Sequence, residues 1–170
     1  KSMGLMERDT AERLLRAAAA ECRAGDVIQI TFQGGEPTLA GLAFFQEFIR
    51  LEGELIPEGV TVRHSIQTNG MTLDGEWARF FRENGVLVGL SLDGARAFHD
   101  PLRVDPRGKG TWDRATAALE LLDRAGVETN LLCVVTNQMA RSPQKVYQSL
   151  KKLGRHPLQF IPCLDPLEAP

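Results

Sequence analysis

Five stretches of this chain repeat one arrangement: an apolar run stops abruptly in glycine or polar residues, and helical patterns fill the intervals between runs. The runs are "VIQITF" (27–32, leading into "QGGEP"), "VRHSIQTNG" (62–70), "VLVGLSLDG" (86–94), "TNLLCVVTN" (129–137) and "LQFIPCLD" (158–165). All five read as strands, and "VLVGLSLDG", nearly continuous in apolar residues, as one covered on both faces. The intervals read as helices. Asp9 and Glu12 stand at capping-box spacing before Leu14, Leu15, Ala18, Ala19 and Cys22, with a stop at Gly25. Leu42, Phe45, Phe48 and Ile49 share one helical face. Asp74 caps a helix bearing Trp77, Phe80 and Phe81, closed by Asn84 and Gly85. Thr111 caps the next, with Ala115, Ala118, Leu119 and Leu122 inward and Gly126 at its end. Ser142, Pro143 and Gly154 bracket the last in the order N-cap, first turn, C-cap.

Such alternation implies an α/β fold, five parallel strands joined by right-handed crossovers and sheathed by helices. The "NG" and "DG" pairs would otherwise suggest hairpins, but a helical pattern follows each. No repeat or linker divides the 170 residues, so they form one domain or part of one. With 43% hydrophobic and 25% charged residues, the composition is that of a soluble globular protein.

Charge and cysteine usage remove several function classes. Twenty basic against twenty-two acidic side chains leave a net charge of −2, and only Lys151 and Lys152 are adjacent bases, which argues against nucleic acid or an anionic membrane as partner. No apolar run approaches the roughly 20 residues of a bilayer span. No secretory signal is visible, although the sequence opens on Lys1. Cys22, Cys133 and Cys163 are too scattered for a disulfide framework or for a metal centre held by this segment alone. A reducing cytoplasm is the expected location, with each thiol a small buried side chain.

In parallel α/β architectures ligands gather at the carboxyl ends of the strands. All five ends here carry polar or glycine chemistry. Gly34 and Gly35 would let a ligand lie against the main chain, and the Glu36 carboxylate would complement a cation such as an ammonium; the plainer reading is a strained turn with Glu36 solvated. Ser91 and Asp93 either present a hydroxyl and a carboxylate to the same mouth or cap their own turn. Arg103 lies in the longest connection, "ARAFHDPLRVDPRGKG", and can grip a carboxylate bidentately or stay solvated. His64, His99 and His156 show no triad or zinc spacing and read as surface or structural residues. Tyr147 and the Phe44, Phe45 and Phe48 group sit at helical spacing, as core residues do.

The ordered set "FQGGEPTLAG", "QTNG", "LVGLSLDG", "FHDPLRVD", "LLCVVTN" and "QFIPCLDPL" resembles anaerobic sulfatase-maturating enzymes, in the SPASM-containing branch of the radical S-adenosylmethionine superfamily. The resemblance implies a fragment of a partial (β/α) barrel, its first strand missing, with 1–170 as part of a radical SAM catalytic domain. It implies S-adenosylmethionine bound over a [4Fe-4S] cluster, a 5′-deoxyadenosyl radical, and oxidation of a sulfatase cysteine or serine to formylglycine. The implied partners are a sulfatase peptide or unfolded sulfatase and an electron donor such as flavodoxin or ferredoxin. Position by position, Gly34, Gly35 and Glu36 match the motif that receives the methionine ammonium. Ser91 and Arg103 match cofactor contacts, Arg103 toward the carboxylate, Leu164 matches an apolar contact to the adenosyl group, and Gln67 matches the inner wall. The family's C-x-x-x-C-x-x-C cluster motif is not in this sequence and is expected upstream of Lys1; the substrate-deprotonating acid and the auxiliary-cluster domain are expected downstream. The isolated segment is accordingly expected to be inactive. A thioether-forming maturase, or a non-catalytic α/β binding domain, would share many of these features.

Overall fold

The computed structural model describes residues 4–154 and 156–164. Helix α1 (Arg8–Glu21) precedes β1 (Val27–Phe32), and a 3-10 turn (Pro37–Ala40) and α2 (Leu42–Leu55) lead to β2 (Thr61–Thr68). Then come α3 (Gly75–Glu83), β3 (Leu87–Ser91), the single turn α4 (Arg96–His99) and α5 (Trp112–Ala125). The chain continues through β4 (Thr129–Val135), the short α6 (Asn137–Ala140), α7 (Pro143–Lys151) and β5 (Leu158–Pro162). All strand pairs are parallel, and the sheet order is β1-β2-β3-β4-β5.

The pleat sorts each strand into two faces. Ile30, Phe32, Ile66, Val88, Leu90, Leu131 and Cys133 pack into apolar clusters with the helices. Register then places Thr31 beside Ser65, Gln67 beside Gly89 and Asn130, and Ser91 beside Leu132 and Gln159, all on the opposite face. One face is therefore dry and helix-covered, the other largely polar, as in a partial barrel with its helices outside. Phe45 ties the first half together: its ring meets Phe32 at 4.9 Å and Trp77 at 5.3 Å, edge on, joining α2 to β1 and α3.

Several local expectations change. The first helix begins at Arg8 with Glu7 at the N-cap, so Asp9 sits in the first turn and Glu12 pairs with Arg8 and Arg16 instead of closing a capping box. Ser142 holds the N-cap position of α7 without a side-chain cap bond, while Pro143 occupies its first turn as expected. Tyr147 is 45% exposed, beneath the Lys151 ammonium, rather than in the core. Of the cysteines only Cys133 is buried; Cys22 is half-buried and Cys163 exposed. His64 and His99 are interior residues, with His64 Nε2 at 2.6 Å from Glu52. The last residue of the fifth apolar run, Asp165, lies outside the described residues.

Candidate functional site

Directly after β1 the chain must turn away from the sheet. It does so through Gly34 at φ 108° and Gly35 at φ 54°, and at either position an added Cβ would meet nothing within 4 Å. Glycine is required here by backbone conformation and not by crowding, which leaves the main chain uncovered. Glu36 then turns inward. Its Oε1 accepts from the Thr38 N–H (3.2 Å), the Thr38 hydroxyl (2.6 Å) and the Thr68 hydroxyl (2.8 Å), and its Oε2 accepts from the Asn69 N–H (2.7 Å). The carboxylate thereby fastens the end of β1 to the end of β2.

The "QTNG" ending has its own packing reason. Gly70 has φ 79°, and a Cβ there would lie 2.9 Å from Leu90 Cδ1 and 3.0 Å from Ala118 Cβ, so the turn leaves β2 pressed against β3 and α5. Beyond β3, Asp93 is 2% exposed, and its Oδ1 accepts from the Val134 N–H at 2.7 Å. Arg103 answers this buried charge, with Nε 2.5 Å from Oδ2 and Nη2 3.3 Å from Oδ1. Among the described residues Nη1 has no hydrogen-bond partner, and the side chain keeps 26% exposure.

The segment from Gly94 to Trp112 is an organised loop. Val104 and Gly110 form an antiparallel bridge, and Asp105 accepts from the Arg107 and Lys109 N–H groups, which hold its carboxyl below the usual range, Lys109 contributing most. Asp100 Oδ1 accepts from the Trp112 N–H at 2.8 Å, and Gly110 lacks a Cβ that would collide with that carboxylate. Thr111 occupies the N-cap position of α5 without a side-chain cap bond, and its hydroxyl donates to the Arg103 carbonyl at 2.9 Å. His99, 1% exposed, lies beneath the loop between the Asp93 N–H and the Thr111 hydroxyl. Its burial, then the Arg103 charge, pushes its pKa down from 6.5.

Together these elements wall a cleft of about 490 Å³ at the carboxyl ends of β1 to β3. Glu36, Ser91 and Arg103 line it, and so do Leu39, Leu102 and Val104, apolar side chains that are 64%, 58% and 52% exposed. A concave wall with a few fixed polar groups and uncovered apolar surface suits a small amphipathic ligand. Gln67 lies one pleat deeper on the polar face, beside Gly89. Leu164 follows β5 at 86% exposure and is not part of this wall. Sequence reasoning weighed Asp93 but did not see that it anchors Arg103; it placed no role on Thr38, Thr68 or Asn69, and gave Thr111 only a helix cap. The repeated polar strand endings were the signal that was present. Among the described residues no group of three His, Cys, Asp or Glu side chains is placed to hold a metal ion, and no helix is long and apolar enough to cross a membrane.

Comparison with known proteins agrees with this fold. A cysteine-type anaerobic sulfatase-maturating enzyme of Clostridium novyi (strain NT) is 41% identical over 170 residues, covering 100% of this chain and 45% of that protein. A serine-type anaerobic sulfatase-maturating enzyme of Klebsiella aerogenes is 42% identical over 150 residues, covering 88% of this chain and 37% of that protein. The chain thus spans less than half the length of these relatives. A solved structure of native anSMEcpe with bound AdoMet and Kp18Cys peptide superposes with a TM-score of 0.94 at 40% identity, covering 100% of this chain and 46% of that one. The family model described as "Radical SAM superfamily" matches residues 1–150, and the chain belongs to that superfamily.

Proposed function

We propose that this chain is the S-adenosylmethionine-binding part of an enzyme that oxidises a cysteine or serine of a sulfatase to formylglycine. One observation carries the reading: Glu36 and Arg103, an acid and a base fixed by their own partners, line the same cleft with exposed apolar side chains between strand ends. The similarity to cysteine- and serine-type maturating enzymes and to a structure with AdoMet and a peptide supports it.

The residues present fit the amino-acid end of that cofactor. The uncovered main chain at Gly34 and Gly35, followed by Glu36, offers acceptors to an ammonium. Arg103 Nη1 offers a donor to a carboxylate, although Asp93 offsets part of its charge, so the contact is chiefly directional hydrogen bonding. Ser91 adds a hydroxyl from the end of β3, and Leu39, Leu102 and Val104 supply apolar cover that sheds water on closure. When bound over a [4Fe-4S] cluster, S-adenosylmethionine supplies one-electron, hydrogen-abstracting chemistry. The groups described here bind and orient; Gln67 faces the polar side of the sheet, where a substrate peptide would lie. Residues 1–170 are read as part of the catalytic domain of a cytoplasmic enzyme that draws electrons from a small carrier such as flavodoxin or ferredoxin.

The test uses the full-length protein, reconstituted with iron and sulfide and given reductant and a sulfatase-derived peptide. The expected product is an aldehyde at one cysteine or serine, trapped with a hydrazide and located by mass spectrometry. Thioether crosslinks instead would identify a different maturase, and an unchanged peptide with uncleaved cofactor would leave only a binding domain.

A further inference from the structure

Asp93 and three residues of the cleft wall, His99, Arg103 and Thr111, form a closed circuit. The Asp93 main-chain N–H donates to His99 Nδ1 (3.2 Å), and His99 Nε2 lies 3.1 Å from the Thr111 hydroxyl. That hydroxyl donates to the Arg103 carbonyl (2.9 Å), and the Arg103 Nε–H donates to the Asp93 carboxylate (2.5 Å). The direction of each link is forced: a main-chain N–H only donates, a carbonyl only accepts, and a hydroxyl has one proton. Nδ1 must therefore be the acceptor, so the single proton of the neutral ring sits on Nε2 and points at Thr111. Asp93, His99 and Thr111 are 2%, 1% and 6% exposed, so no water competes freely for these bonds.

We infer that His99, as the neutral Nε2–H tautomer, is the positioning residue for the Arg103 guanidinium, holding Arg103 by its backbone through Thr111 while Asp93 holds the side chain. This role rests on the proposed reading of Arg103 as the contact for the cofactor carboxylate. The charged groups near the imidazole are Arg103, Asp93 and Asp100; burial and Arg103 favour the neutral form, and the two carboxylates oppose them. A second proton would place an Nδ1–H against the Asp93 N–H and open the circuit at its first link. Cofactor affinity is then steady at neutral pH and falls only as pH drops through the depressed pKa of His99.

The experiment uses the full-length protein, labelled with ¹⁵N at histidine and arginine. Nitrogen shifts report the His99 tautomer, and exchange of the Arg103 Nε–H reports how firmly the guanidinium is held. Thr111→Val keeps the shape and removes the hydroxyl; Thr111→Ser restores it. Thr111→Val is expected to speed Arg103 Nε–H exchange and to weaken S-adenosylmethionine binding about tenfold, the size of one lost buried hydrogen bond. Thr111→Ser is expected to bind within about twofold of the parent, since the relay is intact. Circular dichroism confirms that each variant is folded. A proton on Nδ1 at neutral pH, or wild-type exchange and affinity in Thr111→Val, overturns the inference. If Arg103→Lys leaves cofactor affinity unchanged, the carboxylate reading falls, and the Arg103 exchange rate in Thr111→Val decides the circuit on its own.

Discussion

Glu36 is bound by four protein donors from two strand ends, so its substitution changes more than a ligand contact. Glu36→Gln turns an NH₂ toward the Asn69 N–H or the threonine hydroxyls, and is expected to cost about 1–3 kcal/mol of stability in urea unfolding besides weakening cofactor binding. A variant as stable as the parent would show that the network is dispensable. The neighbouring glycines separate two effects. Gly35 lies in the left-handed region that other residues enter at about 1–2 kcal/mol, whereas Gly34, at φ 108°, lies outside it, so Gly34→Ala is expected to destabilise more than Gly35→Ala although both face open space. The sequence announced that position 36 mattered, because two glycines and an acid follow a strand. It was silent about which groups would hold the carboxylate, because Thr68 and Asn69 reach it only once β1 and β2 are paired.

Elements were more legible than their ends. Apolar period and turn residues found all five strands and the longer helices, though not the single turns α4 and α6, since these signals are local. The caps were less legible, since Thr111 and Ser142 both hold N-cap positions without a side-chain cap bond. Thr111 has the right side chain at the right place for α5 but makes no cap bond, its hydroxyl proton going to the Arg103 carbonyl, and Asp100 reaches across to the Trp112 N–H. Asp100→Ala is therefore expected to lower stability by about 1 kcal/mol, the usual worth of a cap, measured by thermal or urea unfolding. An Asp74→Ala change at α3, where the cap is local, is expected to cost a similar amount. Within β4, burial and then the Asp93 charge push the Cys133 thiol up to about 12. Maleimide labelling with peptide mapping is expected to leave Cys133 unmodified until the protein unfolds.

For the whole molecule, these two shifted groups set opposite limits on pH. His99 is depressed, so its contribution is complete above 6.5 and is lost as pH falls through its folded pKa; Cys133 is raised, so its contribution is complete below 9.0 and is lost as pH rises toward about 12. A urea midpoint plotted against pH is expected to be level between these bounds as far as these groups decide it, and Cys133→Ala is expected to flatten the alkaline limb. An alkaline limb unchanged in that variant would assign it to other groups. The strict sheet order has a consequence of a different kind. Every strand after the first pairs with the one made just before it. During synthesis, which delivers roughly 5–20 residues per second, each emerging strand meets an edge already in place, so the sheet can grow in step with the ribosome and no early strand waits for a distant partner.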